Sequence, residues 1–421
     1  MPNFKSFTIY SIGFFSLLLG LVLNENSSGG AKLDFHYLFP FVEGFSSDFR
    51  DGLVSYISNS GSIIHSPVFY ILTSFIYKLI DNVIVLKIFY IFLCSFLPLI
   101  FFLILKNKFK VDEKILFIFS IIIFLSPYFR SSAIWLLGDN LSLIFFGLSI
   151  FYFNKINVSN NKNLIEPFFC LFFLILCCYI RYYYCLFSLY YLYFFYQKLD
   201  KKYFFILLLI SFTLSIPALF YFYYIFSNAN FVTTVTNYSQ INFYSNSLII
   251  LSILLFYLIP FCILQRNLFI EYIKNNKKII FIIFLIFFIS YLIGQFLYND
   301  IINFSSKGGG VFVKLSNLYD INKLLFLSFL SFLSLIILDY FFKEKRIQNY
   351  ILLIILILSF PIFTIYQKYF DPLFFLFFFG LIESSKINNI FLERKNFLLP
   401  IFIYFTFFFL FSLIYYSEGF K

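Results

Sequence analysis

The sequence predicts an all-α polytopic membrane protein. Hydrophobic residues make up 62% of its 421 residues, charged residues make up only 12%, and the mean hydropathy is +0.91. Soluble globular domains carry about 25% charged residues, so this composition excludes an ordinary soluble protein. Long apolar runs, separated by short polar or charged loops, recur along the whole chain. We therefore expect a single transmembrane domain over residues 1–421.

The lengths of the apolar runs predict about thirteen transmembrane helices. A spanning helix needs ~20 apolar residues, or somewhat fewer where the bilayer thins or the helix is sheltered. The first run could also be a signal peptide, but no convincing small-residue cleavage site follows it, so we expect a retained helix. The predicted spans lie near residues 6–23, 83–105, 115–130, 139–153, 164–180, 182–196, 203–226, 247–264, 279–298, 323–342, 350–366, 373–384 and 397–416.

The charged loops predict the orientation of these spans. If the N-terminus lies inside and the spans alternate, the inside loops and Lys5 carry 20 of the 31 Lys and Arg residues. Such an excess is typical of cytoplasmic loops, so we expect the N-terminus inside and the C-terminus outside. The net charge of +11 is then accounted for by loop residues that set the orientation of the spans. Because no basic soluble module is present, we expect no nucleic-acid partner.

Residues 24–70 form the longest polar interruption, and the first loop, residues 24–82, is predicted to be a small helical cap on the outer face. The loop holds both histidines of the chain, His36 and His65. Its segment 65–80 is apolar but short, and a crossing there would turn every later basic loop outward. We therefore interpret 65–80 as an interfacial or re-entrant helix packed on the loop.

Three residues of this loop are candidates for chemistry. Asp34, His36 and Glu43 lie within ten residues, and positions 36 and 43 share a face if the helix begins near Leu33. A carboxylate held against a membrane surface loses water, which suits a general base. The alternative is an ordinary solvated loop with scattered charges.

Further candidates lie beyond the first loop. Asp139 stands at the start of a span, where it either caps the helix or lines a cavity. Arg181 lies between two apolar runs, where an arginine is costly unless it faces a cavity or an anion. Its guanidinium suits a phosphate, although it could also belong to a short turn with the side chain reaching to water. Lys368 adds a further cation at a predicted outer helix end.

Several of these features resemble the GT-C superfamily of integral membrane glycosyltransferases, particularly its ArnT-like and protein-mannosyltransferase-like branches, which are related to glycosyltransferase family 39. The first loop opens on Asp34, and the run 66–70 (SPVFY) is similar to the Pro-Pro-Leu-x-Tyr stretch of the family. Asp139 and Arg181 follow between short paired spans, and the run 366–372 (YQKYFDP) looks like the start of a late helix. The early Asp-x-His and the Arg-Tyr-Tyr-Tyr run are similar to dolichyl-phosphate-glucose glucosyltransferases.

Two departures from the family pattern leave the second acid and metal dependence open. The family often shows an Asp-Glu pair at the start of the loop, whereas Asp34 is followed by Phe35 in this chain. The Pro-Pro pair is replaced by Ser66-Pro67. The sequence therefore implies no definite cofactor, although a divalent metal could help a phosphate to leave.

The resemblance implies transfer of a sugar from a polyprenyl-phosphate donor to a lipid, glycan or protein acceptor in a single inverting displacement. Asp34 would accept the proton of the acceptor hydroxyl, with Glu43 as the second catalytic acid. Membrane lipids would surround the donor tail, and a bacterial inner membrane and cell-envelope glycosylation are expected. The residues expected to bind substrate are His36, His65, Tyr70, Asp139, Arg181 and Lys368.

The alternative function is a transporter or flippase for a lipid-linked or anionic solute. The same cations would then line a vestibule, and paired broken helices would be expected in corresponding halves of the chain. The large first loop favours the enzyme.

Overall fold

The computed structural model describes the chain except for residues 1–3, 59–65, 157–163, 228–242, 298–307, 320, 363, 393–396 and 417–421. Its regular secondary structure over the described residues is entirely helical. The chain divides into two compact units. Unit 1 comprises Met1–Thr236 and Phe405–Lys421, and unit 2 comprises Asn237–Tyr404.

Unit 1 contains the first loop and the helices that surround it. Its helices are α1 (Phe4–Val22), α2 (Ala31–Ser47), α3 (Phe49–Ser58), α4 (Val68–Ile80), α5 (Val83–Cys94), α6 (Phe96–Lys108), α7 (Glu113–Ser120), α8 (Pro127–Ile134), α9 (Gly138–Ile156), α10 (Ile165–Ile180), α11 (Phe187–Lys198) and α12 (Lys201–Ser227). Local sequence explains several of the helix starts. Asn82 caps α5 by accepting from the backbone of Ile84 and Val85, and Ser126 caps α8, which has Pro127 in its first turn.

Unit 2 is a second helical bundle. Its helices are α13 (Phe243–Leu264), α14 (Arg266–Asn275), α15 (Lys277–Leu297), α16 (Gly310–Leu318), α17 (Lys323–Phe342), α18 (Arg346–Leu358), α19 (Leu373–Phe375) and α20 (Ser385–Leu392). The last helix, α21 (Leu398–Tyr416), begins in unit 2 and ends in unit 1. A π-helical stretch, Leu376–Leu381, follows α19 directly.

Six helical stretches among the described residues are long and apolar enough to cross a membrane, and the number is eight if each of two bent helix pairs is one span. These helices are those of an integral membrane protein. The six are Val83–Lys108, Lys201–Tyr221, Phe243–Leu264, Lys277–Gln295, Lys323–Leu358 and Leu398–Tyr416.

The thirteen spans expected from the sequence are not confirmed. The predicted span 350–366 is helical only in α18, which ends at Leu358, because non-helical backbone follows. The predicted span 182–196 begins as a 3-10 turn, and α11 starts only at Phe187. Apolar composition shows where a segment avoids water, but it does not show whether the segment is one helix or several short ones.

The described residues of the first loop form three helices, α2, α3 and α4. Helix α2 buries Phe35, Phe39 and Val42, the three-to-four-residue spacing of one helical face, and it packs on both α3 and α4. The close approach of α3 to α2 requires Gly52 in α3, since a Cβ there would lie 2.8 Å from the backbone nitrogen of Phe45. Within the predicted 65–80 segment the described residues form α4 from Val68, and its 13 residues are too few for an ordinary span.

Candidate functional site

The centre of the site in unit 1 is an ion pair between Asp139 and Arg181. The Arg181 Nε lies 2.8 Å from Asp139 Oδ1, and its Nη2 lies 3.0 Å from Oδ2, so the pair is bidentate. The Arg181 side chain is 8% exposed and the Asp139 side chain 23%. Asp139 stands in the first turn of α9, where its charge also complements the helix dipole, and Arg181 directly follows α10. The two helix ends therefore meet through this pair.

Buried tyrosines surround the Arg181 guanidinium. Tyr70 on α4 and Tyr183 in the turn after α10 are close enough to interact with it electrostatically. The rings of Tyr70 and Tyr56 are 5.5 Å apart, and the hydroxyl of Tyr56 shares a hydrogen bond with Tyr221. Burial raises the pKa of Tyr56 far above its usual value, so its hydroxyl stays protonated and can donate hydrogen bonds.

An apolar cavity of about 120 Å³ adjoins this centre. Its wall includes Pro67 and Val68 at the start of α4, Tyr182 next to Arg181, and Pro217 on α12. Tyr221, the hydrogen-bond partner of Tyr56, also lines the cavity, so apolar surface lies next to the tyrosines around the buried cation. Such a combination suits a ligand with an apolar tail and an anionic head.

The two candidate acids of the first loop lie on the same helix but on opposite faces. Asp34 and Glu43 are nine residues apart in α2, which separates them by about 13 Å along the axis and by half a turn around it. Asp34 is half-buried, whereas Glu43 and His36 are exposed. The two carboxylates therefore cannot act together on one reacting atom.

The face of α2 that carries Asp34 is directed toward the tyrosines. Asp34 and Phe41 are seven residues apart and share a face, and the ring of Phe41 lies 6.2 Å from that of Tyr70. His36 lies beside Trp135, with 6.4 Å between the ring centroids. Asp34 is thus on the same side of α2 as the Asp139–Arg181 centre.

The other two predicted substrate-binding residues are His65 and Lys368. His65 lies outside the described residues. Lys368 belongs to unit 2, in a 3-10 turn, where its ammonium lies 5.5 Å and 5.8 Å from the ring centroids of Tyr366 and Tyr369. The site in unit 1 therefore consists of Tyr70, Asp139 and Arg181, with Asp34 on the neighbouring helix.

A second buried ion pair, between Glu25 and Arg130, was not anticipated from the sequence. Arg130 Nε and Nη2 lie 2.8 Å and 2.5 Å from the two Glu25 oxygens, and Arg130 also donates to the hydroxyl and the carbonyl of Ser16. Trp135 Nε1 donates to the Glu25 carbonyl at 2.7 Å. Glu25 is the only acid between the first apolar run and Asp34, so its position next to the first span was the available signal. The pair joins α1, the start of the first loop and α8.

Lys87 is the other residue that sequence reasoning missed. It is 8% exposed, and its Nζ lies 3.9 Å from the Phe35 ring centroid and 4.2 Å from that of Trp135. The ring centroids of Phe35 and Trp135 are 5.9 Å apart with planes inclined by 53°, so the ammonium fills the corner between them. Cation–π contacts of this kind contribute ~0.5–2 kcal/mol each. The contact between Lys87 of α5 and Phe35 of α2 therefore stabilises the packing of these two helices beside the site.

The described residues contain no group of three or more His, Cys, Asp or Glu side chains that could hold a metal ion. Both oxygens of Asp139 accept from Arg181, and Asp34 and Glu43 lie on opposite faces of α2.

Comparisons of the chain with protein-family models, with curated proteins and with solved structures found no match.

Proposed function

We propose that the protein is an integral-membrane glycosyltransferase that uses a polyprenyl-phosphate sugar as donor. The observation that carries the proposal is the bidentate Asp139–Arg181 pair beside the apolar cavity of α4, α10 and α12. A polyprenyl-phosphate sugar requires apolar surface for its isoprenoid tail and a fixed cation for its phosphate. Both occur in unit 1, where Tyr182 of the cavity wall directly follows Arg181 in the chain.

Arg181 can bind a phosphate without giving up Asp139. A guanidinium has five N–H donors, and Asp139 engages one on Nε and one on Nη2. The remaining donors include both on Nη1, which has no hydrogen-bond partner among the described residues. Asp139 fixes the plane of the guanidinium, and its more exposed carboxylate can accept a hydrogen bond from a sugar hydroxyl.

The proposed reaction is a single displacement at the anomeric carbon. The acceptor hydroxyl oxygen forms a bond to that carbon while the bond to the phosphate oxygen breaks, and polyprenyl phosphate leaves with the electron pair. Asp34 takes the proton of the acceptor hydroxyl. The Arg181 cation stabilises the growing negative charge on the leaving phosphate. Glu43 takes no part in this step because it lies on the far face of α2.

The topology belongs to the same proposal. Thirteen spans, an inside N-terminus and an outside C-terminus would place the first loop on the outer face of a bacterial inner membrane, where cell-envelope glycosylation takes place. The acceptor would be a lipid, a glycan or a protein. The skewed distribution of basic residues supports this orientation.

Transfer assays with purified protein in lipid test the proposal. The donors are a panel of radiolabelled polyprenyl-phosphate sugars, and the variants are Asp34→Asn, Arg181→Lys and Asp51→Asn. Asp51 is an exposed acid of the same loop and serves as the matched control. We expect loss of transfer in Asp34→Asn, a loss of about tenfold or more in Arg181→Lys because lysine cannot form the bidentate pair, and full activity in Asp51→Asn. Normal turnover by Asp34→Asn would remove the assignment of the base.

A transporter or flippase is the second candidate, and one observation favours it. Each unit contains a bent helix pair, at 67° between Glu113–Leu125 and Pro127–Ile134 in unit 1 and at 106° between Leu373–Leu381 and Ser385–Leu392 in unit 2. Broken helices in two parts of a chain are typical of transporters. Flux of the same lipids across liposomes without any sugar transfer would favour this candidate over the enzyme.

A further inference from the structure

Helix α14 connects two membrane-spanning helices in unit 2. It has ten residues, about 15 Å of helix, which is too short to cross a bilayer. Helices α13 and α15 on either side of it both satisfy the length and composition of spans. Only Gln265 and Asn276 separate α14 from them. The helix must therefore lie at the surface of the membrane that α13 and α15 cross.

The sides of α14 differ in what they contact. On one side Tyr272 is buried, and Phe269 packs edge-on against Tyr340 with 5.5 Å between ring centroids. On the next side Ile270 and Ile273, three residues apart, are 49% and 37% exposed. Lys274, four residues after Ile270, is exposed at the edge of this side, and Glu271 is exposed on the remaining side. A helix in the interfacial plane shows this division among protein, acyl chains and water.

A buried carboxylate fixes the orientation of α14. The Tyr272 hydroxyl donates to Asp339, which is 1% exposed and also accepts from Tyr350 at 3.0 Å and from Arg346 at 3.1 Å. Asp339 lies near the end of α17, and Arg346 and Tyr350 lie in the first turns of α18. The ends of these helices therefore gather around α14.

This end of unit 2 is strongly basic. Within residues 266–278 the structure exposes four basic side chains against one acid, Glu271. Lys343 and Lys345, also exposed, follow α17 close to Asp339. The four basic residues of the first set are Arg266, Lys274, Lys277 and Lys278.

We propose that α14 is a binding site for anionic phospholipid headgroups. Its exposed isoleucines reach the acyl boundary. Arg266 and Lys274 flank Ile270 on the same face, and their long side chains extend, with those of Lys277 and Lys278, to headgroup level. Basic residues at a membrane surface attract anionic lipid, and an adjoining apolar flank holds them at the right depth. This inference does not depend on the glycosyltransferase proposal, since it concerns only unit 2.

Quenching of a tryptophan on the lipid-facing side of α14 tests the proposal. The full chain carrying Ile270→Trp is reconstituted in bilayers of equal parts phosphatidylcholine and phosphatidylglycerol. In one preparation the acyl chains of phosphatidylglycerol are brominated, and in the other those of phosphatidylcholine. The same measurement on the original chain, whose one tryptophan is Trp135, is subtracted. We expect brominated phosphatidylglycerol to quench the tryptophan more strongly than brominated phosphatidylcholine does. The difference should correspond to an enrichment of phosphatidylglycerol next to the helix of about fivefold, and this enrichment should fall in high salt.

Two charge variants, each made in the Ile270→Trp chain, distinguish lipid binding at α14 from an effect of the net charge of the protein. Replacing Arg266, Lys274, Lys277 and Lys278 by glutamine is expected to make quenching by the two lipids equal. The matched control replaces four exposed lysines of unit 1, Lys110, Lys198, Lys201 and Lys202, by glutamine and should keep the preference. No quenching by either lipid, equal quenching before the charges are removed, or equal loss in the control would each overturn the proposal.

Discussion

The Glu25–Arg130 pair allows a quantitative test of how buried charge stabilises unit 1. Both side chains are almost closed to solvent, at 7% and 6% exposed, and each guanidinium–carboxylate contact is 2.8 Å or shorter. Removing one partner of a buried pair leaves the other charge uncompensated and typically costs ~3–5 kcal/mol. We expect Glu25→Gln and Arg130→Met each to lower the free energy of unfolding by about that amount.

The assay is reversible unfolding in mixed micelles for the original chain, both single variants and the double variant. The double variant should lose much less than the sum of the singles, because it leaves no uncompensated charge. Lys106→Met is the matched control, since it breaks an ion pair of similar length, 2.9 Å to Glu113, whose side chains are 47% and 34% exposed. We expect little change there. Additive losses in the double variant, or an equal loss in the control, would refute the reasoning.

Three further predictions concern other sites. Gly52→Ala should destabilise the first loop by ~1–3 kcal/mol in thermal unfolding, because the new Cβ would lie 2.8 Å from the Phe45 nitrogen; an unchanged midpoint would contradict it. Asp339→Asn should cost about 2 kcal/mol in the same assay, less than a fully closed pair, since the side chain of its partner Arg346 is 35% exposed; a gain in stability would contradict it. Desolvation lowers the pKa of Lys314 from 10.5 to about 8. Between these two pH values the unfolded state binds more protons than the folded state, so the free energy of unfolding should rise as the pH is raised from about 8 to 10.5. Lys314→Met should lose that rise.

The sequence predicted the helical class and the location of most helices because burial in lipid demands continuous apolar composition. The predicted spans near 247–264 and 323–342 correspond to α13 and α17 at nearly the same residues. The breaks could not be predicted in the same way. Residues 350–366 are apolar almost throughout, yet helix α18 stops at Leu358, before Pro361, because proline restricts the residue before it and cannot supply the next N–H.

The candidate site was predicted only in part, since hydropathy identifies costly charges but not their partners. Asp139 and Arg181 were each selected because a charged side chain next to a membrane span is costly unless it has a partner or a ligand. The structure pairs the two with each other. Glu43 was selected for its nearness to Asp34 in the sequence, but nine residues of helix place it on the far face. Lys87 was overlooked because its partners are the rings of Phe35 and Trp135, and a cation–π partner leaves no signature in a charge pattern.

The solvent exposure of the carboxylate distinguishes the Asp139–Arg181 pair from the other buried arginine–carboxylate pairs. Glu25–Arg130 is closed on both sides, and the carboxylate of Asp339 is 1% exposed, so each serves mainly to specify which helix ends meet. Helices in a membrane gain little from hydrophobic attraction to one another, and paired polar groups therefore help to fix their packing. The carboxylate of Asp139 is 23% exposed although its partner Arg181 is almost fully buried. In this pair, unlike the other two, it is the carboxylate that is partly exposed over a buried cation, and a ligand can therefore reach it.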